Sequence, residues 1–325
     1  MCLNVFSNRH RFRSWDRIAP YERNLSNAIE KKLWYQYNES INRKKKMKSL
    51  IIKENRMKFQ FFPYHLVTTS PWPILVSFSM LNLTIGAVMY MHGFYKGETL
   101  LSIGFILTLS GMMFWFRDVI TEGTKLGDHT REVVRGLFYG IILFIVSEVF
   151  AFFSVFWAYG HASLSPAIEI GGSWPPVGIT PLNPFAIPLL NTFLLLSSGA
   201  TVTYGHHALI SGNRSAAIEG TFITIIFAIV FTALQGFEYG QAPFSITDGA
   251  FGSAFFVSTG LHGLHVIVGT IFILFGFARI INYHLTTNHH QGFEGGIIYW
   301  HFVDVVWLFL FAFVYCWGGL GLNLT

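Results

Sequence analysis

Cysteine and charge are what this chain has least of. Its 325 residues include two cysteines, Cys2 and Cys316, at opposite ends, a spacing that excludes a disulfide framework and a cysteine-based metal cage. Only 12% of residues are charged while 52% are hydrophobic, so the chain holds more apolar material than one water-soluble core would use. No phosphate-cradling glycine loop, paired nucleophile and base, or HxxxH or HxxHH box occurs, which leaves no convincing catalytic constellation. The scarce charge is also uneven. Residues 1–58 hold 15 Lys and Arg against 5 Asp and Glu, so a basic arm precedes a slightly acidic remainder.

What the chain has in abundance is membrane-length apolar sequence. Runs at 71–91, 99–116, 133–164, 185–210, 216–239, 250–283 and 295–320 are each long enough to cross a hydrocarbon layer about 30 Å thick, given about 1.5 Å of rise per helical residue. A Pro- and Gly-rich loop at 165–184 separates the third from the fourth. The expected architecture is an all-α integral membrane protein with seven transmembrane helices, organised around the third. It divides into a basic extension, 1–58, and a transmembrane domain, 59–325. With seven spans, 21 of the 22 Lys and Arg fall on one side and only Lys96 on the other. Since cytoplasm-like or matrix-like loops carry the basic excess, the N-terminus is expected inside and the C-terminus outside. The arm has the Arg-rich, acid-poor look of a targeting presequence, yet is expected to be retained, with a short amphipathic helix and a basic run touching solvent or lipid. The plainer reading is a surface arm without chemistry.

A few polar residues interrupt these runs. Counting from Arg135, Glu148 sits roughly 20 Å into the layer, where an ionisable side chain faces a cavity or the bundle interior and finds a partner. His262 and His265 share a face of the sixth helix, and His265, counted from Arg279, lies at nearly the same depth. Either Glu148 and His265 meet, directly or through water, or each is satisfied separately. On the seventh helix His301 and Asp304, three apart, read as a structural polar pair that glues helices, not as catalysts.

Thirteen histidines raise a metal hypothesis. The spacings do not fit a di-iron oxygenase, and His262 and His265 lie too deep to join those at the helix ends, so no intrinsic metal is expected. A proton-conducting transporter would use Glu148 as a relay, but its neighbours along the helix are apolar. Arg279, His284, Glu122 and His129 fall toward one membrane face, with Trp115 and Phe116 just beneath. That set reads either as a basic, aromatic lipid-binding pocket or as an ordinary interfacial belt.

These residues sit within longer blocks: Phe62-Pro63-Tyr64-His65-Leu66-Val67 with Ser70-Pro71-Trp72-Pro73, Phe116-Arg117-Asp118-Val119-Ile120, Leu143-Phe144-Ile145-Val146-Ser147-Glu148-Val149, Gly171-Gly172-Ser173-Trp174-Pro175-Pro176, His206-His207, Gln241-Ala242-Pro243-Phe244, Gly263-Leu264-His265-Val266-Ile267, and the run 299–311. Over residues 61–321 the chain resembles cytochrome c oxidase subunit III. The resemblance implies two helices and five around a V-shaped cleft that holds phospholipids. It implies a subunit with no redox cofactor of its own, haem and copper belonging to partner subunits, subunit I above all. Glu148 matches the family's buried carbodiimide-reactive glutamate, and Trp115, Glu122, His129, His265 and Arg279 match positions near bound lipid. Phe116 departs from the family, which usually has a second tryptophan there, so an indole N–H is missing. The expected setting is the mitochondrial inner membrane, N-terminus in the matrix and C-terminus in the intermembrane space, within complex IV. No nucleic-acid partner is expected, and contact of the long arm with another respiratory complex stays open.

Overall fold

The computed structural model describes residues 62–319. The expected basic arm, 1–58, and the last residues, 320–325, lie outside them. Among the described residues, seven helices are long and apolar enough to span a membrane. They are α1 (Trp72–Met91), α2 (Gly97–Thr121), α3 (Arg131–Leu164), α4 (Ile187–Ile210), α5 (Arg214–Gln241), α6 (Gly249–Ile281) and α7 (Gln291–Leu310). Two of them continue as π-helix, α2 through Glu122–Leu126 and α7 through Phe311–Trp317. The chain packs as two compact units, one ending at Thr130 with α1 and α2, the other beginning at Arg131 with α3 to α7.

Hydrocarbon offers a backbone or hydroxyl no partner, so helices are the natural spanning form and their hydroxyls must be satisfied internally. The Thr hydroxyls do this within their own helix: Thr108 donates to Gly104 O, Thr192 to Pro188 O, Thr224 to Gly220 O and Thr270 to Val266 O, all within 2.9 Å. Prolines at 71 and 73 flank the start of α1, where a missing N–H costs nothing.

In the first unit α1 and α2 form a hairpin with backbones in close approach. A Cβ on Gly86 would strike the backbone of Leu101, and one on Gly104 the backbone of Leu83. Buried Ser79 and Thr108 hydrogen-bond across the same seam at 3.1 Å. The small residues set this contact distance, as expected where lipid supplies no hydrophobic drive to helix association. Helix α2 runs five residues past its expected end at 116, and the π-helical turn carries it five further. The Arg117–Asp118 pair that breaks the apolar run is satisfied locally: Arg117 donates to Asp118 Oδ1 at 2.8 and 3.0 Å, and Trp72 Nε1–H to Oδ2 at 2.5 Å.

In the second unit the enclosed helix is α7, not α3. Trp300, Val303, Trp307 and Leu310 of α7 are at most 1% exposed. By contrast the 34 residues of α3 bury only Phe152, Tyr159 and Ser163. Helix α3 is expected to organise the chain because it reads as one membrane-length run with a single acid, Glu148, near its middle. Length measures how far a helix spans, whereas enclosure depends on neighbours: α7 packs against α3, α4 and α6, and α3 only against α6 and α7. Polar anchors pin α7 to α4. Trp300 Nε1–H donates to Ser198 Oγ at 3.0 Å, and Trp307 Nε1–H to Thr192 Oγ1 at 2.9 Å.

Candidate functional site

Glu148 and His265 face each other across the α3–α6 packing, with Glu148 Oε2 2.7 Å from His265 Nε2. The side chains are 21% and 10% exposed, which makes this a sheltered contact on the unit's flank. The other ring nitrogen, Nδ1, lies 2.7 Å from the carbonyl oxygen of Leu261. A carbonyl only accepts, so Nδ1 carries a proton and donates. Nε2 then either donates to a carboxylate or accepts from a carboxylic acid. Both arrangements contain the same number of protons and have zero net charge, which removes most of the cost of placing the pair in a low-dielectric layer. Phe152 meets the His265 ring edge-on at 4.9 Å and Tyr299 stacks at 6.2 Å, fixing the imidazole in place. Beside the pair, α3 and α7 with its π-helical continuation line an open apolar groove of about 830 Å³. Val149, Phe153, Trp157, Phe302, Phe309 and Phe313 line it.

His262, one turn from His265, points the other way. It is 1% exposed, and its Nε2–H donates to Val303 O of α7 at 3.2 Å. His301 and Asp304 do approach, Nδ1 to Oδ2 at 3.6 Å, too far for a hydrogen bond. The closer bond of His301 is to α4: Nε2 sits 3.1 Å from Thr203 Oγ1, whose own proton goes to Gly199 O at 2.8 Å. Thr203 has one proton to give, so His301 is the donor. Asp304 is 6% exposed and stands over Gly199, where any Cβ would strike its Oδ2.

Sequence reading missed a second enclosed acid, Glu238 of α5, only 2% exposed. It accepts from Tyr315 O–H at 2.6 Å, Tyr315 accepts from Gln235 Nε2 at 3.4 Å, and Gln235 Oε1 accepts from Asn191 at 3.5 Å. A network thus ties α4, α5 and the π-helical end of α7. Gln235 and Glu238, three apart on one helical face, were the available signal; Glu238 lies within a turn of the run's end and passes for an interfacial residue.

Of the residues assigned to lipid, Trp115, Phe116, Glu122 and His129 stand in the first unit and Arg279 and His284 in the second. Trp115 is 39% exposed and Phe116 54%, both presenting ring surface outward. Arg279 is half-buried, its guanidinium laid over Gly292 at the start of α7, and its carbonyl accepts from the His284 N–H at 3.0 Å. Glu122 opens the π-helical turn, and His129 follows the left-handed Gly127 that ends it.

The sequence model of the family described as Cytochrome c oxidase subunit III matches residues 62–319. A curated cytochrome c oxidase subunit 3 from Mycosarcoma maydis is 60% identical over 269 residues, spanning 81% of this chain and 98% of the relative. Those from Podospora anserina and Rhizopus stolonifer are 58% and 57% identical, over 81% and 80% of this chain and 98% and 92% of their own lengths.

Proposed function

The chain belongs to the cytochrome c oxidase subunit III family, and from that premise we propose that it serves complex IV as a lipid-bearing scaffold. It is a subunit of that oxidase and a multi-pass protein of the mitochondrial inner membrane, with other complex IV subunits as partners. On our reading subunit I is the main partner and, with other subunits, carries the haem and copper. The chain covers that partner, protects it from turnover-linked inactivation, and supports proton uptake on the matrix side and O2 entry along lipid. Phospholipid binds at Trp115, Phe116, Glu122, His129, Arg279 and His284, with the N-terminus in the matrix and the C-terminus in the intermembrane space.

The observation that carries this reading is the Glu148–His265 pair. Its hydrogen-bond path ends at the Leu261 carbonyl, inside a helix, instead of passing to another titratable group. A relay needs an onward acceptor that can release its proton; a self-contained neutral pair beside an apolar groove instead suits a fixed contact. The mostly unburied α3 supports the same reading, since so much apolar helix surface calls for lipid or a partner.

The test compares the complete oxidase with the oxidase stripped of this subunit. The stripped enzyme should keep its haem spectrum and most of its initial rate of O2 consumption, but inactivate after several-fold fewer turnovers. Loss of the haem spectrum, or an initial rate near zero with no change in lifetime, would contradict the scaffold role.

A further inference from the structure

Three side chains of the first unit converge without any motif to announce them. His65, Glu122 and His129 each bring one ligand atom into a group whose members all lie within 4.8 Å of one another. His65 comes from the segment before α1, Glu122 from the first position of the π-helical turn, and His129 from the loop after it. All three are half-buried, open enough for an ion to enter and enclosed enough to hold their rotamers.

The surroundings hold this convergence in place. Thr130 donates its hydroxyl to Pro63 O, tying the His65 segment to the His129 loop. The two imidazoles meet edge to face at 5.9 Å. Gly123 is buried beneath His129, and a Cβ there would come within 2.7 Å of His129 Nδ1, so the ring takes this seat because residue 123 has no side chain. A π-helical turn widens the helix by one residue, and such turns often occur at functional positions. This one brings Glu122 round to the two rings, and its carbonyl accepts from the N–H groups of Gly127 and Asp128 at 2.9 and 3.2 Å. The Asp128 carboxylate stands 3.9 Å from His65 Nε2 and adds negative charge.

We propose that His65, Glu122 and His129 form a binding site for a divalent cation of the zinc class. The donor set is two imidazole nitrogens and one carboxylate oxygen. Magnesium and calcium take oxygen shells, whereas mixed nitrogen and oxygen donors at three points suit Zn²⁺ with a fourth position open to water. With bonds of about 2.0–2.1 Å, tetrahedral ligand atoms lie about 3.4 Å apart, so atoms within 4.8 Å of one another need to draw in by about 1.4 Å at most to close on the ion. Bound metal would clip the segment before α1 to the end of α2. The site does not depend on the scaffold reading; a lipid head group near Glu122 and His129 could fill the fourth position without being required.

The experiment uses the intact oxidase in mild detergent. Histidine acylation by diethylpyrocarbonate is followed residue by residue by mass spectrometry, with added Zn²⁺, with Zn²⁺ then EDTA, and after phospholipid extraction without added metal. His65 and His129 should react at least about tenfold more slowly with Zn²⁺ and recover with EDTA, while His92 reacts equally throughout. Equal reactivity of His65 and His129 with and without Zn²⁺ overturns the site. So does protection that EDTA leaves intact and lipid extraction removes, since the group shielding them is then a head group. Radiozinc binding to complexes carrying Glu122→Gln or Gly123→Ala adds a second measure. Each should bind one zinc fewer than wild type or bind it about 10–100-fold more weakly, Gly123→Ala by displacing His129 with every ligand present. Undiminished zinc binding in both would also overturn the site, and the wild-type acylation decides the matter if neither variant assembles.

Discussion

At Glu148 a carboxyl group and an imidazole share a proton in a layer that tolerates neither charge alone. Because Nδ1 of His265 is committed to Leu261 O, Nε2 is free to accept, and the carboxamide of Glu148→Gln can donate to it. We expect that variant to assemble at near wild-type yield with an unaltered haem spectrum. Glu148→Leu removes the partner and leaves Nε2 facing hydrocarbon, at a cost of about 1–3 kcal/mol. In thermal inactivation of the purified complex the leucine variant should fall below the glutamine variant; equal losses would mean that the bond contributes nothing. Glu238 offers the complementary case. Tyr315→Phe strips this acid of its hydroxyl donor and should destabilise by about 1–3 kcal/mol, whereas Glu238→Leu combined with Tyr315→Phe should recover part of the loss, because the buried acid is gone and only Gln235 Nε2 is left without its acceptor. An additive double variant would count against the network. The two acids differed in legibility for a physical reason. Glu148 stands at the middle of an apolar run, where depth alone marks it, while Glu238 lies near a helix end, and only the packing of α5 on the end of α7 reveals its enclosure.

Helix existence follows from run length, because about twenty apolar residues have no other comfortable place than a bilayer. For that reason α1 and α3 to α7 lie close to their expected positions. Helix α2 does not: hydropathy stops at Arg117, and nothing in a linear profile shows that Asp118 is satisfied by Arg117 and Trp72 together. The π-helical turns were equally invisible, since an extra residue in a turn leaves no trace in a period of 3.6. The His65–Glu122–His129 group is the extreme case: its members lie far apart in the chain, so no spacing rule could join them. Among contacts between helices, the sequence raised Glu148 with His265, from their matched depth, as one of two readings, whereas the close approach at Gly86 and Gly104 emerges only from the packing. At Gly86 the added methyl of an alanine would meet backbone, which cannot rotate away, so the α1–α2 hairpin must open. Gly86→Ala should destabilise the hairpin by about 1–3 kcal/mol, read as a lower yield of assembled complex and faster proteolysis between α1 and α2. Unchanged yield and cleavage would show that the seam has slack.

The orientation proposed for the chain, N-terminus in the matrix, rests on its charge and on the odd number of spans among the described residues. If all seven helices cross, the proposed topology puts the turn between α1 and α2 and the turn between α6 and α7 on opposite sides of the membrane. In that proposal Lys96, alone among the 22 Lys and Arg, falls on the first of these sides, which the positive-inside rule would give to the intermembrane space. Arg214 and Arg279 support the other assignment from within the helical unit itself. Arg214 donates to Ile281 O and lies over the ring of Tyr283, so its charge is held beside the α6–α7 turn. Tyr95, 84% exposed, and Thr287, also exposed, are convenient reporters of the two turns. In mitoplasts a membrane-impermeant maleimide should label Tyr95→Cys at once and Thr287→Cys only after detergent is added, each compared with the unsubstituted chain. Labelling of Thr287→Cys in sealed mitoplasts, with Tyr95→Cys protected, would invert the assignment. Protection of Tyr95→Cys would also move the Zn²⁺ site proposed at His65, Glu122 and His129 from the matrix side to the intermembrane space, because those residues precede α1 or follow α2, at the opposite end of the hairpin from the α1–α2 turn.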